Sequence, residues 1–186
     1  ENCITGVEFL DAFNRGWVFS TAKKIVVVGG GDTSIDVASV ARRLGHINAT
    51  HQHDAHGAAT FGYTAHDVAG ALRREGAEIV LTSLFPIEQM TAAEHEREDA
   101  KREGVDIQGA VMPLEVVKGP DGRARALRMC KCTMKGTVPQ PIDGTEYEIE
   151  CDMVISAIGQ MAALSQGLEK LDGGRRAIAV DPVYKV

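Results

Sequence analysis

The sequence predicts an α/β fold, a parallel sheet flanked by helices with a three-stranded antiparallel meander, and three stretches carry that prediction. Ile25 to Val28 are four consecutive β-branched residues bounded by Lys23-Lys24 and Gly29-Gly30-Gly31, the pattern of a strand buried on both faces. Asp32 to Leu44 then places Ile35, Val37, Ala38, Val40, Ala41 and Leu44 at largely helical spacing, and Gly45 stops the helix. Further on, Leu114–Lys118, Ala124–Met134 and Glu146–Glu150 read as three antiparallel strands joined by turns, one of them Pro120-Asp121-Gly122.

The remaining elements fit around these. Thr5-Gly6-Val7-Glu8 has the form of a capping box, in which the Thr and Glu side chains each satisfy an orphan amide. Val7, Phe9, Leu10 and Phe13 follow it as a partly apolar helix ending near Gly16. Residues 46–64 are polar, rich in histidine and without period, and read as a loop; a helix at about Ala65–Arg74 leads through Gly76 into a short strand, Ala77–Thr82. A direct crossover would need only the first helix, so residues 46–75 look like an insertion. Thr91-Ala92-Ala93-Glu94 reads as a second capping box, opening a charged helix to about Glu103 with Gly104 as its stop. Val105–Ile107 is a third strand, and Met153–Ile158 a returning apolar strand that ends at Gly159.

Composition narrows the function. With 44% hydrophobic and 25% charged residues the chain has the balance of a soluble globular protein, and no run approaches the roughly 18 apolar residues of a membrane span. A net charge of −6 argues against a nucleic-acid surface, which needs clustered Lys and Arg. No secretory leader is evident and none of the four cysteines forms a C-x-x-C pair, so a cytoplasmic setting is expected. The histidines of the insertion, His46, His51, His53, His56 and His66, lie among Asp54 and Asp67 without the spacing of a metal site. A solvated or partner-contacting loop is expected there. Cys130 and Cys132 share one face of a strand, with Cys151 as the one plausible third thiolate; four are usual for an iron–sulfur cluster, so structural thiols are expected.

The chemistry lies in the glycine turn. Gly29-Gly30-Gly31-Asp32-Thr33-Ser34 fits the dinucleotide fingerprint G-x-G-x-x-G/A, with Ser in the third position. Gly29 allows the tight strand-to-helix turn, and Gly31 lets the backbone approach a pyrophosphate whose charge rests on the helix N-terminus. Ser34 is small enough for the helix to pack close to the sheet. Following a β-branched strand and opening an apolar helix, the glycines meet the context that a Rossmann-type parallel sheet requires.

In order along the chain, GGGDTSIDVASVARRLG, MTAAEHEREDAKREGV and CDMVISAIGQ resemble the NAD(P)H-binding domain of glutamate synthase small-subunit-like, FAD-dependent pyridine nucleotide-disulfide oxidoreductases. The resemblance covers about residues 4–45 and 76–182. It implies that residues 23–160 bind the nucleotide, while residues 1–22 and 161–186 connect to an adjoining FAD domain of the same polypeptide. It further implies hydride transfer from the nicotinamide to FAD, then electron transfer to iron–sulfur centres or a partner. By resemblance, Asp36 lies near the nicotinamide end of the cofactor, although a solvent-facing helix carboxylate is the plainer reading. Ala157-Ile158-Gly159 matches the strand-end motif where backbone and cofactor meet closely, and an ordinary strand-terminating turn is its alternative.

One departure bears on the cofactor. NADPH-using members show an aromatic-Arg-Arg stretch after the second strand, whereas this chain has Thr82-Ser83-Leu84-Phe85-Pro86. The expectation leans to NAD over NADP, with the Ser83 hydroxyl able to donate one hydrogen bond to either. No residue reads as an acid, base or nucleophile of a separate substrate site, so no catalytic side chain is assigned. An NAD(P)-sensing or partner-docking module without redox activity is the alternative function.

Overall fold

The computed structural model describes residues 2–18, 21–47 and 74–159 of the chain. Three layers build it. The central one is a five-stranded parallel sheet of β1 (Cys3–Thr5), β2 (Lys24–Val28), β5 (Glu78–Thr82), β6 (Val105–Gln108) and β11 (Met153–Ser156), in the order β1-β11-β2-β5-β6. Helices α1 (Gly6–Asn14), α2 (Asp32–Leu44) and α3 (Glu94–Arg102) pack on one face. The other face is covered by antiparallel β7 (Val111–Lys118), β8 (Ala124–Lys135), β9 (Val138–Pro141) and β10 (Tyr147–Glu150).

The β-branched run of β2 is explained by these two coverings. Side chains alternate along a strand, so Ile25 and Val27 join the helix-side core with Ile35, Val37, Leu81 and Ile155. Val26 turns to the opposite core with Leu127, Met129 and Val154. Val26 and Val27 are both fully buried, one into each layer. The strand can therefore be apolar at every position, as the central strand of a sheet covered on both sides should be.

α1 begins as its sequence predicts. The Thr5 hydroxyl accepts from the Glu8 amide at 3.2 Å, and Glu8 Oε2 accepts from the Thr5 amide at 2.9 Å, closing the capping box. α2 is capped by Gly31 and ends on Gly45 in the left-handed region. From its last turn Arg42 donates to the carbonyls of Glu103 at 2.8 Å and Ala77 at 2.7 Å, tying the end of α3 and the start of β5 to one guanidinium.

The structure corrects four local expectations. Cys3–Thr5 form an edge strand that the sequence did not betray: three residues are too few to show a period, and β1 pairs only with β11. The buried Asn2 side chain anchors it, accepting from the Ala124 amide at 2.7 Å and donating to the Ala124 carbonyl at 3.0 Å. Thr91 does not cap α3; the N-cap is Ala93, and the Thr91 hydroxyl donates instead to the Gly30 carbonyl at 3.2 Å. The antiparallel layer has a fourth strand, because β8 is long enough to pair β10 and β7 over one part and β9 over another. Arg74, expected at the end of a helix, lies in a two-residue strand β4 (Arg74–Glu75) paired antiparallel with β3 (His46–Ile47). Residues 48–73, with the rest of that expected helix and all but one of the histidines of the insertion, fall outside the described residues, as does the segment 160–186.

Candidate functional site

Parallel strands present their C-terminal ends to one edge, and ligands of open α/β sheets bind there. The ends of β2, β5 and β11 meet at such an edge around a cleft of about 290 Å³. The glycine turn is its floor. Gly29, Gly30, Gly31 and Thr33 line it from β2 and α2, Thr82 to Phe85 from β5, and Ala157, Ile158 and Gly159 from β11.

The three glycines answer to three different neighbours. A Cβ on Gly29 would lie 2.3 Å from the Ala157 carbonyl oxygen, and Gly29 has φ +150°, so this position requires glycine twice over. A Cβ on Gly30 would meet the Ser83 hydroxyl at 2.5 Å. At Gly31 the nearest atom is Thr91 Oγ1 at 3.4 Å, an ordinary contact, and its backbone suits any residue. Nothing among the described residues requires glycine at position 31. The bare Cα there leaves open the space above the α2 N-terminus, where the N-cap residue Gly31 has no side chain to cap the first-turn amides.

Ser34 lies beneath the turn and is fully buried, its hydroxyl donating to the Gly31 carbonyl at 2.5 Å. It shapes the turn without facing the cleft. Asp32 and Asp36 are exposed on α2 and are not among the lining residues. Of the residues singled out in the sequence, the structure thus brings Gly29, Gly30, Gly31, Thr33, Ser83, Ala157, Ile158 and Gly159 together and leaves Asp32, Ser34 and Asp36 aside. Ser83 is buried, and its Oγ accepts from the Phe85 amide at 3.1 Å, which leaves the hydroxyl proton free to donate.

Sequence reasoning missed Thr91, Val111 and Pro113, which complete the walls. Thr91 reaches the site because the chain after β5 folds back over the glycine turn, where the Ala92 amide donates to the Gly30 carbonyl at 3.1 Å. Val111 and Pro113 arrive from the antiparallel layer, and no local pattern signals that. No charged side chain lines the cleft among the described residues. Arg97, the nearest cation after β5 in sequence, is engaged with the carbonyls of Met90 and Ala92. Also among the described residues, no cluster of His, Cys, Asp or Glu is placed to hold a metal ion. Cys130, Cys132 and Cys151 are buried, and burial raises the Cys132 thiol above its ordinary range. No helix of the described residues is long and apolar enough to cross a membrane.

Comparison with known proteins agrees with the motifs. No family model matches the chain. It is 33% identical, over 97% of its length, to the NADP(+)-dependent formate dehydrogenase subunit beta of Moorella thermoacetica, and covers 22% of that protein. It is 29% identical over 86% of its length to the NADPH-Fe(3+) oxidoreductase subunit beta of Geobacter sulfurreducens, covering 20%. A Mycobacterium tuberculosis glutamate synthase [NADPH] small chain matches 88% of this chain at 27% identity, and 29% of the relative is covered. The chain therefore spans about a fifth to a third of the curated relatives it matches. Its fold is shared with thioredoxin reductases of Giardia duodenalis, at a TM-score of 0.52 and 15% identity over 89% of this chain and 39% of that one, and of T. acidophilum, at 0.55 and 12% over 97% and 44%. The resemblance to glutamate synthase small-chain-like oxidoreductases holds: the chain is homologous to a segment of NADP(H)-dependent oxidoreductase subunits.

Proposed function

We propose that this chain is the nicotinamide-dinucleotide-binding part of an FAD-dependent oxidoreductase, holding the nicotinamide for hydride transfer to a flavin carried by an adjoining domain of the same polypeptide. The observation that carries the reading is Gly31. Its missing side chain serves nothing among the described residues and leaves the α2 N-terminus open, where a pyrophosphate would rest on the helix amides. The redox chemistry belongs to the cofactors, the nicotinamide supplying a hydride and the flavin accepting it. The residues of the chain bind and orient. The first-turn amides of α2 and the hydroxyl of Thr33 would take the pyrophosphate. Gly29, packed on the Ala157 backbone, brings the end of β11 against the turn, so that Ala157, Ile158 and Gly159 border the nicotinamide half. Ile158 is 76% exposed and gives the adjoining flavin domain an apolar surface to close on. On this reading residues 161–186 would connect to that domain, and iron–sulfur centres or a partner would receive the electrons.

For the cofactor itself the reading is NAD(H) over NADP(H). The named relatives use NADP(H), but a 2′-phosphate at the end of β5 would find Ser83, Leu84 and Phe85 there and no cation among the described lining residues. An unpaired, partly desolvated phosphate is costly. Titration of NADH and NADPH into the chain, followed by nicotinamide fluorescence, tests both points. Saturable binding with NADH the tighter ligand is expected, and no binding of either would overturn the reading.

A further inference from the structure

We propose that Phe85 is the stacking platform for the adenine ring, so that this site recognises the adenosine half through an aromatic face where a charged contact is lacking. The inference rests on the dinucleotide reading above and names the residue that holds the other end of the ligand.

Position comes first. With the pyrophosphate on the turn after β2, the adenosine half extends across the C-terminal end of the next strand of the crossover, which is β5. Phe85 follows β5 by three residues, lines the cleft and is 37% exposed. Pro113, a second apolar ring without a charge, reaches the same cleft from β7.

Rigidity is the second argument. A ring that only covered a gap in the core could sit on a loose turn, but the backbone that carries this one is fixed from several sides. The Phe85 amide donates to Ser83 Oγ at 3.1 Å, and the Phe85 carbonyl accepts from the Ala110 amide at 3.0 Å. The thiol of Cys132 donates to the Leu84 carbonyl at 3.5 Å, and the Val111 amide donates to that of Ser83 at 3.0 Å. The connection that makes these bonds is itself tightly drawn. Ala110 is the one non-glycine residue with positive φ among the described residues, at 55°, and a Cβ on Gly109 would come within 2.6 Å of the Ile87 nitrogen. A flat ligand that stacks on a ring carried in this way need order only its two χ angles, because the backbone of the turn is already set.

Chemistry is the third. The described walls of the cleft offer no charge, so selection among ligands there falls to hydroxyl groups, to shape and to π-faces. An aromatic side chain stacked on a nucleobase strengthens binding by roughly ten- to a hundredfold, judged by alanine replacement. At the end of β5, where the adenosine half lies, the purine is the ligand part that can use this wall.

The test titrates NADH and ADP into the wild-type chain, Phe85→Ala and Phe85→Trp, with circular dichroism to follow folding. The platform predicts that Phe85→Ala loses affinity for both ligands by the same factor, ten or more. It also predicts that Phe85→Trp retains affinity and that ADP quenches its added fluorescence, measured against the wild type with Trp17. Unchanged affinity in Phe85→Ala, or a loss confined to NADH, would overturn the proposal while leaving the dinucleotide reading intact. Should Phe85→Ala fail to fold, absence of ADP quenching in Phe85→Trp would overturn it instead. A wild type that binds neither ligand would fail at the prior step and take the proposal with it.

Discussion

Gly29 and Ala157, far apart in sequence, touch so closely that the carbonyl oxygen of Ala157 occupies the place a Cβ on Gly29 would need, 2.3 Å away. The Ala157 amide meanwhile donates to the Val28 carbonyl at 2.7 Å. The glycine turn and the end of the returning strand are therefore one rigid unit, and each half is aimed by the other.

The first prediction separates two glycines that look alike in sequence. Gly29→Ala must push the β11 end away and hold a strained backbone, at a cost of about 1–3 kcal/mol from the strain alone. A Tm lowered by several degrees is expected. For Gly31→Val the new Cβ meets no such obstacle among the described residues. Its Tm should stay near the wild-type value while NADH affinity falls tenfold or more. Wild-type affinity in a folded Gly31→Val protein would remove the pyrophosphate from that position.

Leu84→Arg should shift the cofactor preference. It places a guanidinium at the end of β5, where a charge-assisted hydrogen bond to a 2′-phosphate contributes about 1.5–3 kcal/mol. NADPH affinity is expected to rise about tenfold or more, with NADH little changed, in competitive titrations. A wild type that already binds NADPH tenfold tighter than NADH would show that a cation reaches the ribose from outside the described residues.

The chain as it stands carries a single glycine fingerprint, and that one is assigned to the nicotinamide nucleotide. Purified alone it should be colourless, and with NADH or NADPH it should reduce no dye acceptor. A bound flavin absorbance band, or steady turnover by these 186 residues, would contradict the division of labour proposed above.

Alkaline pH should loosen the antiparallel layer. Burial pushes the Cys151 thiol up from 9.0 to about 11, and it raises Cys132 and Tyr147 in the same direction. An acid whose folded-state pKa is raised binds its proton more tightly folded than unfolded. Its contribution to stability is complete below pH 9 and is lost as pH rises toward 11. The Tm should fall across that interval. Cys151→Ala should start lower near pH 8 but fall less steeply, and equal slopes in the two proteins would exclude Cys151 as a source.

How much of this was legible in the residues depended on how local each signal was. Ile25–Val28, the glycines and the apolar spacing of α2 are contiguous and obey one period each, so strand, turn and helix could be read directly. The Thr5 capping box was legible for the same reason. Thr91 carried an equally good local signature and misled, because its hydroxyl is drawn to the Gly30 carbonyl by the path of the chain over the turn. Strand β1 is too short for any period, and its partner β11 is contributed by the far part of the chain. Val111 and Pro113 enter the cleft by the docking of one layer on another, which no spacing encodes. The site was thus legible along β2 and α2, and illegible where another layer completes it.

The two-residue ladder of β3 and β4 has a consequence for tolerance to change. It brings residues 47 and 74 side by side at the end of α2 remote from the glycine turn, about 20 Å along a 13-residue helix. Any segment that joins them must therefore begin and end at this one pair of anchor points. Loop closure costs only about 0.6 kcal/mol for each doubling of length. That makes the ladder a splice point at which a foreign module, a fluorescent reporter or an affinity handle, would meet the chain at two adjacent backbone positions.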